Sequence, residues 1–225
     1  MPTRIPIFLL IACMAMALPA RSQWTRTELA KANTAAAVPY LTDEEKAVVQ
    51  YVNLARMYPQ KFLEREVQPY ERPEGYAGLD RQSDWYRSLV AELTTMRPLE
   101  PLQFDSYMYK LAAAWAGEMN RRGVTGHKRT ESTGYYAAEC CQYGFAAGRD
   151  IVIDLLIDEG VQNLGHRKNL FNAEITTIGV AIRPHSQWKV CTVIDSDYPR
   201  MRQYNQTRSR SVPPISKTIV WPVVR

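Results

Sequence analysis

The chain has 225 residues, a formal net charge of +5, four cysteines and three histidines. With an N-terminal leader set aside about 200 residues remain, which suits a single core. Arg200, Arg202, Arg208, Arg210, Lys217 and Arg225 all fall in residues 199–225, and Arg4 and Arg21 in the first 22, so the stretch between them is net acidic. It holds no basic stripe with interleaved aromatics, which excludes a nucleic-acid partner for the domain.

From the N-terminus, Arg4 precedes an apolar run, Ile5 to Leu18, that is short for a membrane span and is followed by Ala20-Arg21-Ser22. Residues 1–22 read as a secretory signal peptide, which predicts a secreted or periplasmic protein. Leu10-Ile11-Ala12-Cys13 leaves open a lipid anchor at Cys13, so the membrane enters only through this leader or such an anchor. Residues 23–41 are mixed and read as an irregular linker. Thr42 with Glu45 forms a capping box, and Val48, Tyr51, Val52 and Ala55 follow at helical spacing. Asn53 and Arg56 lie on that helix and are expected to anchor it to a loop. Residues 60–84 read as a long connection, and Trp85–Met96 as a helix. Asp105 caps a further helix with Met108, Leu111, Ala112, Trp115 and Met119 on its apolar stripe, and Gly123 stops it.

Residues 135–143 suit a strand. A helix opens at Asp150 and ends at Asp158-Glu159-Gly160. The β-rich runs 178–182 and 188–194 flank Pro184-His185-Ser186-Gln187, a hairpin turn that leaves His185 exposed. The order of elements predicts an α/β layered domain with a small, mainly antiparallel sheet. Residues 42–198 form this domain, and 199–225 a solvated basic tail rich in Pro and polar residues.

The chemistry-bearing residues cluster in the second half. His127 follows Gly126, Glu139 lies twelve positions later, and Asp158, Glu159 and His166 share one short segment. Imidazole and carboxylate are the groups that bind divalent metals or exchange protons near neutral pH. Cys140, Cys141 and Cys191 are disulfide candidates for an exported chain, one of the adjacent pair with Cys191; small buried thiols are the alternative.

These residues, in this order, resemble the CAP superfamily: cysteine-rich secretory proteins, insect venom antigens, plant pathogenesis-related proteins and bacterial secreted members, the last being the type this chain matches. The resemblance rests on Leu102-x-x-Asp105 into an Ala-rich helix ending at Met119, Gly126-His127, Ala138-Glu139, Asp158-Glu159-Gly160-Val161, Gly165-His166-Arg167-Lys168-Asn169-Leu170 and Ile178-Gly179-Val180-Ala181. Glu45 and Asn53-x-x-Arg56 fit its first helix. It implies an α-β-α sandwich, its small central sheet flanked by helices, and a cleft of two histidines and two acids that binds zinc or another divalent cation in some members. His127, Glu139 and His166 match three of the four, and Asp158 and Glu159 compete for the last. Ala138 and Cys140 stand where the family carries Gly and Asn.

The resemblance implies an exported binding domain whose partner is a lipid, a peptide or a polysaccharide. A metal-dependent hydrolase is the alternative, although the chain has neither a His-Glu-x-x-His helix nor a Gly-x-Ser-x-Gly elbow. A structural cell-surface domain is the third reading.

Overall fold

The computed structural model describes residues 23–130 and 138–197. The leader, residues 131–137 and the basic tail lie outside these. Two capping boxes start the chain's first helices. Thr25 with Glu28 opens α1 (Arg26–Ala32), and Thr42 with Glu45 opens α2 (Asp43–Met57). Residues 23–41, read from sequence as irregular, therefore contain a helix. Gln50 reaches across to the Leu29 carbonyl, and Ala32 and Ala35 are fully buried. Seven residues are too few for helical periodicity to register against a polar background.

The predicted connection over 60–84 also has structure at its start. Pro59 at the first helical position restarts the chain as α3 (Pro59–Phe62), which runs into a π-helical turn, Leu63–Val67. Phe62, Leu63, Val67 and Tyr70 are buried there. Then come α4 (Asp84–Thr95), β1 (Gln103–Phe104), α5 (Ser106–Arg122), β2 (Ala138–Tyr143), α6 (Gly148–Ile157), α7 (Gly165–Leu170), β3 (Thr177–His185) and β4 (Lys189–Asp197). Asp105 caps α5 through the amides of Tyr107 and Met108, and Gly123 ends it at φ 62°. Helix α6 begins two residues before Asp150; its Gly148 amide donates to Glu44 at 2.6 Å instead.

The strands form one sheet in the order β1-β3-β4-β2, with β1 parallel to β3 and the other pairs antiparallel. β2, which carries Glu139, is an edge strand. Alternation along the strands builds two layers. Cys140, Val180 and Ile194 pack with Val48, Val52, Ile151 and Leu155 of α2 and α6. Their neighbours Cys141, Ala181 and Val193 pack with Ala112, Trp115 and Met119 of α5. The α-β-α sandwich follows. At Gly179 α5 comes so close that an added Cβ would lie 1.9 Å from the Tyr109 amide nitrogen, so only glycine fits.

Two buried arginines fix the connections. Arg56 donates to the carbonyls of Glu100, Leu170, Asn172 and Ile175, and burial holds its guanidinium down to about 10. Asn53 exchanges hydrogen bonds with the Leu102 backbone. The predicted anchoring of α2 to a loop is seen in these contacts, and Arg56 extends it to the α7–β3 link. Arg167 donates to the carbonyls of Leu156, Ile157 and Trp85 and to Ser88, tying α7 to the end of α6 and to α4.

His185 departs from its predicted exposure. It ends β3 with 3% of its surface exposed, one ring nitrogen 2.9 Å from the Val124 carbonyl oxygen. The other accepts from the amides of Gln187 and Trp188. The turn lies after it, and the imidazole satisfies the turn's backbone. No helix among the described residues is long and apolar enough to cross a membrane.

Candidate functional site

His127 is placed by the peptide before it. Gly126 takes φ 86°, a conformation that favours glycine. Its carbonyl accepts from the Trp115 indole at 3.0 Å, and its amide donates to the Tyr143 hydroxyl at 2.7 Å. The loop is thus clamped between α5 and β2, and His127 Nδ1 lies 2.6 Å from Glu139 Oε1.

Glu139 faces Asp195 across the β2–β4 ladder. Arg129 donates to both carboxylates, at 2.9 Å to Asp195. Asp195 is fully buried, and its Oδ1 has no hydrogen-bond partner among the described residues. Burial first, then the Glu139 charge, push its carboxyl up to about 8 against the pull of Arg129. The guanidinium also lies over the Trp115 ring at 5.6 Å. Arg129 and Asp195 carried no recognisable motif. They lie 10 and 56 residues from Glu139 in sequence, and only the sheet register and the His127 loop unite them.

His166 is held from the opposite wall. Asp158 ends α6 in the left-handed region at φ 60°. Its carboxylate meets His166 Nδ1 at 2.7 Å and accepts from the amides of His166 and Arg167 at 3.0 and 3.2 Å. It therefore caps α7, whose own N-cap residue Leu164 supplies no side-chain bond. Glu159 contacts neither histidine: it binds Arg72 at 2.5 Å, and the same guanidinium nitrogen lies 3.7 Å from Asp154. Of the two competing acids, Asp158 is the one that contacts a histidine.

Four of the sequence candidates thus assemble as two histidine–carboxylate pairs, His127–Glu139 and His166–Asp158, with the imidazole centroids 6.5 Å apart. Each ring commits Nδ1 to a carboxylate. Among the described residues neither Nε2 has a hydrogen-bond partner, the arrangement that orients an imidazole for a ligand or ion. Cys141, one strand position beyond Cys140, enters the same space. Its Sγ lies 3.8 Å from both His127 Nδ1 and Glu139 Oε1. One ligand atom each from His127, Glu139 and Cys141 falls within 4.8 Å of the others. Such an N, O and S donor set suits zinc, which binds at ~2.0–2.3 Å. Beside His166 a cleft of about 270 Å³ opens between β2, the end of α6 and Trp188.

The disulfide left open by the sequence is not formed. Cys140, Cys141 and Cys191 are free and buried. Cys140 faces the α2/α6 layer, whereas Cys141 and Cys191 both face α5. Cys191 stands opposite Tyr143 and Cys141 opposite Val193. Such diagonal neighbours lie ~7–8 Å apart, longer than the ~4.4–6.8 Å Cα separation a disulfide spans. Burial pushes all three thiols up, Cys191 to about 11.

Comparison with known families agrees with this geometry. The model of the cysteine-rich secretory protein family, CAP, matches residues 49–195, the stretch that contains both histidine–carboxylate pairs. No curated protein matches the chain.

Proposed function

Since the chain belongs to the cysteine-rich secretory protein family, CAP, we propose that it is an exported binding domain whose cleft holds a divalent cation, zinc in the first instance. His127, Glu139 and Cys141 supply the donors, and His166 faces them across the cleft. One observation carries the reading: three chemically suitable donors from a clamped loop and an edge strand lie within 4.8 Å of one another. The thiol must lose its proton to serve, and burial holds that proton tightly. Cation binding therefore releases protons and weakens on acidification.

Binding is favoured over hydrolysis by how the acids are used. Glu139 is on this reading a ligand of the cation, its other oxygen held by Arg129, and Asp158 is taken up by His166 and two amides. Neither is a free base beside a cation. Export rests on residues 1–22, and the mass of the native protein tests it: loss of about twenty residues agrees with a cleaved leader, and an intact Met1 contradicts it. Elemental analysis of the mature protein tests the cation. One zinc per chain in the wild type and none in His127→Ala/Cys141→Ser is the expected result; equal zinc in both overturns the assignment.

A further inference from the structure

The cleft beside His166 has a chemistry of its own. Gln142 reaches it from the edge strand with 4% of its surface exposed. Its Nε2 donates to the Tyr143 carbonyl at 2.9 Å and to Asp154 at 3.3 Å. Its Oε1 is buried and has no partner among the described residues. A buried, unanswered acceptor on the wall of an open cleft calls for a donor from a ligand. The rim supplies Trp188, half exposed, its ring 6.3 Å from that of Tyr143.

The charges narrow the choice. Asp154, Asp158 and Glu159 line the same cleft, which disfavours phosphate, sulfate and carboxylate ligands. Each of these carboxylates already has a partner within the protein: Arg72 meets Glu159 and lies 3.7 Å from Asp154, and Asp158 accepts from two amides of α7 beside His166. What remains on the cleft wall is acceptor capacity, carboxylate oxygens and Gln142 Oε1, beside an aromatic face, and this favours a ligand rich in hydroxyl donors with an apolar ring face. An apolar ligand would leave Gln142 Oε1 without a partner. The volume, about 270 Å³, lies just under the ~300–1,000 Å³ of sites for drug-sized molecules, so it admits about one ring.

We infer that this cleft binds a neutral polyhydroxylated ring, one sugar residue of a glycan, with Trp188 as its stacking platform and Gln142 Oε1 as a buried acceptor for a ring hydroxyl. The inference deepens the reading of the site as ligand-binding but does not require the cation.

The test uses the mature protein in EDTA, titrated by saturation-transfer NMR with three classes of probe. These are neutral tetrasaccharides of glucose and of N-acetylglucosamine, a sulfated disaccharide, and spermidine. The expected result is saturable binding of a neutral tetrasaccharide, weakened at least tenfold by Trp188→Ala and by Gln142→Leu. Trp188 is half exposed, so its replacement spares the fold even where Gln142→Leu does not. Absence of saturable binding by either neutral sugar at millimolar concentration overturns the inference. So does binding that Trp188→Ala leaves intact, or tighter binding of spermidine or the sulfated disaccharide. If zinc is bound and sugar is not, this inference falls and the cation reading stands; sugar binding without zinc binding gives the reverse.

Discussion

The two walls of the cleft hold a histidine by the same bond and secure it by different means. On one side Asp158 is fixed by its place at the end of α6 and by two backbone amides of α7, and Arg167 locks both helices to α4. His166 is thus held by a carboxylate that backbone amides fix in place. On the other side Glu139 sits on an edge strand, and its partners are the charged groups Arg129 and His127, with the buried Asp195 opposite. The first wall is a rigid frame. The second is a charge network whose state depends on protons and, on our reading, on a cation.

Breaking the charge network has the largest expected effect. Arg129→Leu leaves Glu139 and buried Asp195 facing each other with no cation between them. Removing one partner of a buried ionic group costs about 3–5 kcal/mol, and urea denaturation at neutral pH reads this directly. Loss below 1 kcal/mol would mean that the carboxylates are answered in some other way.

The frame breaks less severely. Asp158→Ala removes the side-chain cap of α7 and the partner of His166. The expected loss is about 1–3 kcal/mol. Asp158→Asn keeps a residue that tolerates the left-handed backbone and can still accept from the amides, so it should lose less than half as much in the same denaturation series. Equal losses would show that charge, not capping, is what Asp158 contributes.

The smallest effect is a slope. The Asp195 carboxyl is raised in the fold, so the native state keeps its proton after the unfolded chain has lost it. Stability from this group is therefore full below the ordinary carboxylate range and falls as pH rises toward about 8. Asp195→Asn removes the titration. The variant should gain on the wild type steadily between about pH 4 and pH 8. A stability difference that stays flat across that range would contradict the raised carboxyl.

The frame was the more legible wall. The Thr42–Glu45 box, the Asp105 cap and the Gly123 stop are local signals, each written within a few residues, and they placed α2 and α5. The Asp158–His166 pair spans eight positions, close enough for one segment to suggest it. The charge network was only half legible. His127 and Glu139 were found by order, but Arg129 and Asp195 join them through strand register, which has no local signature. For Cys141 the sequence leaves both a disulfide with Cys191 and a small buried thiol open, because spacing says nothing of a two-residue diagonal offset. His185 reads as exposed in the sequence because Pro184 and Ser186 carry turn chemistry. The structure puts the turn one step later and spends the imidazole on its amides. Helix α1 escaped because it is short and polar, and its stability comes from packing on α2.

Central to this account is the division of labour between the walls, and zinc titration calorimetry on His127→Ala and His166→Ala, measured separately beside the wild type, tests it most directly. The account predicts that His127→Ala loses zinc binding by more than a hundredfold while His166→Ala weakens it by about tenfold, the low end of what an outer partner costs. Undiminished zinc binding by His127→Ala, or a larger loss for His166→Ala, would contradict it.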